Sequence, residues 1–106
     1  NGLAKYIHSM YNRNMEFSWN PKKAVENLKK HKVSFEEAVT VFYDPLAKTA
    51  LDPDHSKDED RFILIGHSSK SHLLFVVHVY REDSETIRII SARKATKSEK
   101  KDFEEL

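Results

Sequence analysis

The chain holds no cysteine and only two glycines, Gly2 and Gly66, and each scarcity removes a class of chemistry. Without cysteine there are no disulfides and no thiolate zinc sites, as suits a reducing, intracellular setting. Two isolated glycines cannot form the glycine-rich loop that wraps backbone amides around a nucleotide phosphate. The G-x-S-x-G elbow of α/β-hydrolases and the H-E-x-x-H zinc motif are both missing. Long hydrophobic runs are missing too. The longest, Leu73 to Val77, falls far short of the roughly 20 apolar residues that cross a bilayer. No basic-then-apolar signal segment opens the chain. These absences predict a soluble, cytoplasmic protein with no membrane association and no cofactor.

What is present fits one compact domain. The 106 residues are 39% hydrophobic and 33% charged, enough apolar material for one sheet with a few helices. Residues 1–14 show no period and read as a leader or expression remnant, and the domain is expected to span residues 15–106. The net charge of +1 carries no information about partners, but its distribution does. Lys22, Lys23, Lys29, Lys30 and Lys32 crowd one segment, against Glu26 alone. Asp44, Asp52, Asp54, Asp58, Glu59 and Asp60 crowd another.

Alternation at Phe17 and Trp19 predicts a short strand. Asn20-Pro21 opens a helix ending near His31. Ser34 opens a second, with a capping box closed by Glu37 and a core-facing stripe of Phe35, Ala38, Val39 and Phe42. Asp44-Pro45 ends it. A short strand, perhaps at a sheet edge, is expected within residues 46–51. Three strands follow over 61–67, 73–81 and 86–92, joined by short turns as an antiparallel meander. Apolar on both parities, the 73–79 run should lie at the centre of the sheet. Thr96 and Glu99 form a capping box for a C-terminal helix. The order β-α-α-β-β-β-β-α predicts an α+β fold, an antiparallel sheet packed against two N-terminal helices plus a C-terminal helix.

Three features carry possible chemistry. Asp52, Asp54 and Ser56 have the first spacings of a calcium loop, but Lys57 stands where a glycine must turn the chain, so a solvated loop is expected. His78 interrupts an apolar strand, either as a core histidine or as a proton carrier. Arg81, Arg88 and Arg93 lie at or in apolar strands, where a buried cation needs an acidic partner or an anionic ligand. A guanidinium fork matches two phosphate oxygens. Arginines that stabilise a phosphorane, with a group that moves a proton, suffice to cleave RNA through its 2′-hydroxyl.

Three blocks, KHKVSFEEA, DRFILIG and IRIISARKAT, occur in one order within residues 15–106. In combination they resemble the BrnT toxins of bacterial type II toxin–antitoxin systems. The resemblance implies a RelE-like ribonuclease fold and metal-independent endoribonuclease activity that inhibits translation. It also implies neutralisation by a BrnA-type ribbon-helix-helix antitoxin, in a heterotetramer that reaches operator DNA only through the antitoxin. Carried over by position, Lys23, Arg61, His78, Arg81, Arg88 and Arg93 become the expected catalytic set, with His78 as acid or base and the others electrostatic. Lys22 and Trp19 become RNA-binding candidates, although Trp19 equally suits a core or interface. Lys32 stands where the family has glycine, and a positive φ is expected there. The antitoxin is expected on exposed apolar and basic surface such as the first helix or a sheet edge. A catalytically silent RNA- or antitoxin-binding module, and a metal-binding or structural domain using the acidic loop, remain as alternatives.

Overall fold

The computed structural model describes residues 15–52, 61–80 and 86–106. Residues 1–14, most of the acidic segment (53–60) and residues 81–85, with Arg81, lie outside them. The elements run β1 (Glu16–Ser18), α1 (Pro21–His31), α2 (Phe35–Val41), β2 (Lys48–Leu51), β3 (Arg61–His67), β4 (Leu73–Tyr80), β5 (Thr86–Lys94) and α3 (Lys97–Glu105). This is the expected order and an α+β fold. The strands form one sheet in the order β1-β5-β4-β3-β2, with β4 at its centre.

One feature departs from the expected antiparallel sheet. β2 to β5 pair antiparallel, but β1 joins β5 in parallel, Phe17 beside Ile87 and Ser18 beside Arg88. Tight turns dictate antiparallel pairing only between successive strands, and the rest of the fold separates β1 from β5.

Local chemistry explains the helix ends. The Asn20 carboxamide oxygen accepts hydrogen bonds from the amides of Lys22 and Lys23, and Pro21 follows at the first helical position. At the other end Lys32 takes the left-handed conformation, φ 61°, and its amide donates to the Leu28 carbonyl at 2.9 Å. A lysine is strained there and glycine is not. Lys32→Gly is therefore expected to stabilise the fold by about 1 kcal/mol, seen as a higher urea midpoint with unchanged slope.

Ser34 caps α2 by accepting from the Glu37 amide at 3.0 Å. The reciprocal half of the expected box is absent. The Glu37 carboxylate turns instead to the β3–β4 hairpin, where Ser68 Oγ donates to it at 2.6 Å and His72 Nδ1 lies 2.8 Å away. The box at α3 is complete, Thr96 and Glu99 each accepting from the other's amide.

α1 and α2 cover one face of the sheet. The core there joins Val33, Phe35, Ala38, Val41 and Phe42 to Leu64, Leu74, Val76, Ile87, Ile89 and Ala92. Asn27 is buried and locks α1 to β5, its amide donating to the carbonyls of Val33 and Ala92 and its oxygen accepting from the Ala92 amide. Gly66 permits the chain after α2 to lie against β3, since a Cβ there would stand 2.7 Å from that of Ala47.

The second face is divided. Register places Arg61, Ile63, Ile65 and His67 of β3 on it, beside Val79, Val77, Phe75 and Leu73 of β4. α3 covers its hairpin end: the Phe103 ring meets His67, with 6.0 Å between centroids, and Lys48 Nζ donates to the Phe103 carbonyl at 3.0 Å. Leu106, which follows α3, is 83% exposed. The other end, where β3 begins and β4 finishes, has no helix over it among the described residues.

Candidate functional site

That uncovered end brings together two of the nominated arginines. Arg61 pairs with Val79, and Val79 with Arg88 on its other side. A row therefore runs Ser18, Arg88, Val79, Arg61 across four strands. Side chains of directly paired residues share a face, so both guanidinium groups rise on the same side, about 10 Å apart at their origins. Val79 is 4% exposed yet stands outside the helix-side core, forming an apolar floor between two cations. A long arginine stem such as that of Arg88 can lie over such a floor. Arg88 has no ion-pair partner among the described residues.

The bulge in β5 matters to this arrangement. His78 pairs with Ile89 and Val77 with Ser91, leaving Ile90 unpaired. The extra residue changes the alternation, so Arg88 and Arg93 share a face despite their odd separation. Ile87 and Ile89 are buried on the helix side as expected.

The other nominated residues go elsewhere. Arg93 makes a bidentate pair with Glu99, both bonds 2.8 Å, and lies 4.1 Å from the Phe75 ring centroid. Its charge is spent within the protein: Glu99 hydrogen bonding raises the Arg93 pKa, and Arg93 lowers that of Glu99. Arg93 thus secures α3, and this geometry does not bring it to the arginine row. His78 also lies away from the row. Its ring is fully buried against Phe42, Phe62 and Tyr80, with centroids 4.9, 6.1 and 5.4 Å away. Neither ring nitrogen has a hydrogen-bond partner, and the Val76 backbone approaches without reaching hydrogen-bonding geometry. Burial lowers its pKa from 6.5 to about 4. A neutral imidazole sealed in the core cannot exchange protons with an external substrate.

Trp19 packs edge-on against Phe35 at 5.8 Å and belongs to the core margin rather than to a stacking platform. Lys22 and Lys23 are exposed on α1, in the layer on the opposite face of the sheet from the arginine row.

Sequence reasoning missed two residues beside Arg88. Ser18 pairs with it directly, and Glu16 faces the same side one pleat away, paired with Thr86. Glu16 is exposed and is in none of the ion pairs found among the described residues. Only the parallel pairing reveals this neighbourhood, and no local pattern encodes it. A second cluster, Glu37, Ser68 and His72, sits beyond the far ends of β3 and β4. The Ser68 and His72 hydrogen bonds hold the Glu37 carboxyl below its usual range against the opposing effect of burial. Thr40 Oγ1 accepts from the Ser69 amide and Asp44 Oδ2 from the His67 amide, so α2 and its exit brace this hairpin.

No group of three or more histidine or acidic residues among the described residues is arranged to hold a metal ion. No described helix is long and apolar enough to cross a membrane.

Comparison with known proteins adds to this geometry. The family model for the ribonuclease toxin BrnT of type II toxin–antitoxin systems matches residues 19–99. The 1.1 Å crystal structure of the Brucella abortus ribonuclease toxin BrnT superposes with a TM-score of 0.58 at 22% identity, covering 78% of this chain and 99% of that one. That likeness shows a shared fold. No curated protein sequence matches the chain.

Proposed function

Because the chain belongs to the BrnT family of ribonuclease toxins of type II toxin–antitoxin systems, we propose that it cuts RNA internally on the sheet face bearing Arg61 and Arg88, needs no metal ion, and thereby inhibits translation. The carrying observation is the row in which Val79 separates the two arginines on one face, with no helix over it among the described residues.

The chemistry follows from the groups at hand. An RNA phosphate seated between the guanidinium forks is neutralised on two sides, and its charge in the pentacoordinate state is stabilised as it develops. The neighbouring 2′-oxygen attacks phosphorus, and in this reading Glu16, one pleat from Ser18 on the same face, takes its proton. The bond to the 5′-oxygen breaks, leaving a 2′,3′-cyclic phosphate, and the 5′-oxygen takes a proton from the solvent that reaches this face. Arg81, which follows β4 in sequence outside the described residues, remains a further proposed electrostatic residue. The antitoxin is of the BrnA type, pairs two copies with two of this chain in the cytoplasm, and alone touches operator DNA.

The test uses the purified chain freed of antitoxin, a labelled RNA and excess EDTA. Discrete fragments ending in cyclic phosphate are the expected result. RNA binding without fragments from the folded chain would favour a silent binding module, and cutting only after magnesium is restored would remove metal independence.

A further inference from the structure

α1 presents a seam that its own fold leaves empty. Its inward side is settled: Asn27 is buried, and Ala24 and His31 are partly so. Val25 and Leu28 stand on the neighbouring side and remain 55% and 50% exposed. Isolated exposed aliphatics are ordinary, but these two are three residues apart on one helix and so adjacent in space. Pro21, Val25, Leu28 and Lys32 follow one another at spacings of four, three and four, the repeat by which one helix seats against another.

Charge is arranged around that seam rather than scattered. At about 100° per residue, Lys22 and Lys29 flank Val25 on its solvent side, and Lys32 extends the row. Glu26, the sole acid of α1, turns away with Lys23 and Lys30. Lysines in the last turn suit the helix dipole, but the dipole does not account for the exposed Val25 and Leu28. An apolar pair edged by cations on one side is complementary to a helix with aliphatic residues on its inner face and carboxylates along its margin. RNA fits it less well, because phosphate and sugar have nothing for Val25 and Leu28 to bury, and α1 lies on the opposite face of the sheet from Arg61 and Arg88.

We propose that this seam of α1 docks an acidic amphipathic helix of the cognate antitoxin. The inference rests on the toxin–antitoxin reading above and gives it a surface. Docking there anchors the antitoxin without occupying the arginine row, so the anchoring contact and the masking of the RNA site are separate parts of one complex.

The experiment measures binding of the fluorescently labelled antitoxin encoded beside this chain to the full-length protein and three variants. Val25→Ser with Leu28→Ser is expected to weaken binding on the order of thirtyfold, while RNA cleavage and the far-UV spectrum stay at parental values. Lys29→Glu is expected to weaken it about fivefold and to flatten its salt dependence. Lys30→Glu makes the same change of net charge on the other side of α1 and is expected to match the parent. Parental affinity in the folded double serine variant overturns the proposal, as does equal weakening by Lys29→Glu and Lys30→Glu. Loss of RNA binding with antitoxin binding intact would overturn it in favour of an RNA path over α1. Failure of the parent itself to bind the antitoxin would instead overturn the partner reading on which the proposal stands.

Discussion

Replacement of His78 by leucine is expected to leave RNA cleavage within about twofold of the parent and to remove about 3.5 kcal/mol of acid sensitivity from the fold. The ring titrates near 6.5 in the unfolded chain and about 4 when folded. Above pH 6.5 it is neutral in both states and contributes no pH dependence. As the pH falls below 6.5 the unfolded chain gains a proton that the buried ring excludes, and folding weakens. Below about 4 both states carry the proton and the loss is complete. A gap of about 2.5 units at about 1.4 kcal/mol each yields the stated size. Glu37 acts in a different window: its lowered pKa stabilises the fold above pH 4.5, and that contribution is lost only in stronger acid. Leucine, similar in volume, also removes two buried polar atoms that have no partner. Urea unfolding at pH 7.5, 5.5 and 4.5 separates the two groups. A variant that keeps the parental loss between pH 6.5 and 4.5, or loses most of its cleavage, would return His78 to the reaction.

Arg88→Ala should lower kcat/KM for RNA by about 10²- to 10³-fold with little change in stability, the size expected for one preorganised donor to a developing oxyanion. Arg88→Lys keeps the charge but not the planar fork, so an intermediate loss is expected. Arg61→Ala should behave similarly. The double alanine variant should fall short of the product of the single losses, since both groups hold one phosphate. Steady-state cleavage of a short labelled RNA measures all four. Parental rates in Arg88→Ala would move the site off this face.

The parts of the fold legible beforehand were those governed by neighbours in sequence. Asn20-Pro21, Ser34 and Thr96 cap helices through atoms two or three residues away, and the positive φ at Lys32 was signalled by the glycine that the resembled family has there. Strand order within the meander followed from short turns. What escaped was set by contacts remote in sequence. Glu37 abandons its cap because Ser68 and His72 offer better partners 31 and 35 residues on. Arg93 meets Glu99 because α3 folds back over the sheet. His78 looked functional because a histidine among valines has no local explanation; its explanation is an aromatic nest drawn from α2, β3 and β4. Arg61 and Arg88 were each nominated from sequence, but their joint address depends on Val79 between them.

β1 has a consequence for the order in which the molecule assembles. Its residues, 16–18, are made early and pair with 86–88. Closing so wide a loop is entropically slow, whereas the β3–β4–β5 meander and both N-terminal helices form from near neighbours. With β1 unseated, Ser18 and Glu16 would be missing from beside Arg88. A chain in that state would keep its arginines and lack its carboxylate, able to hold an anion before it can act on one.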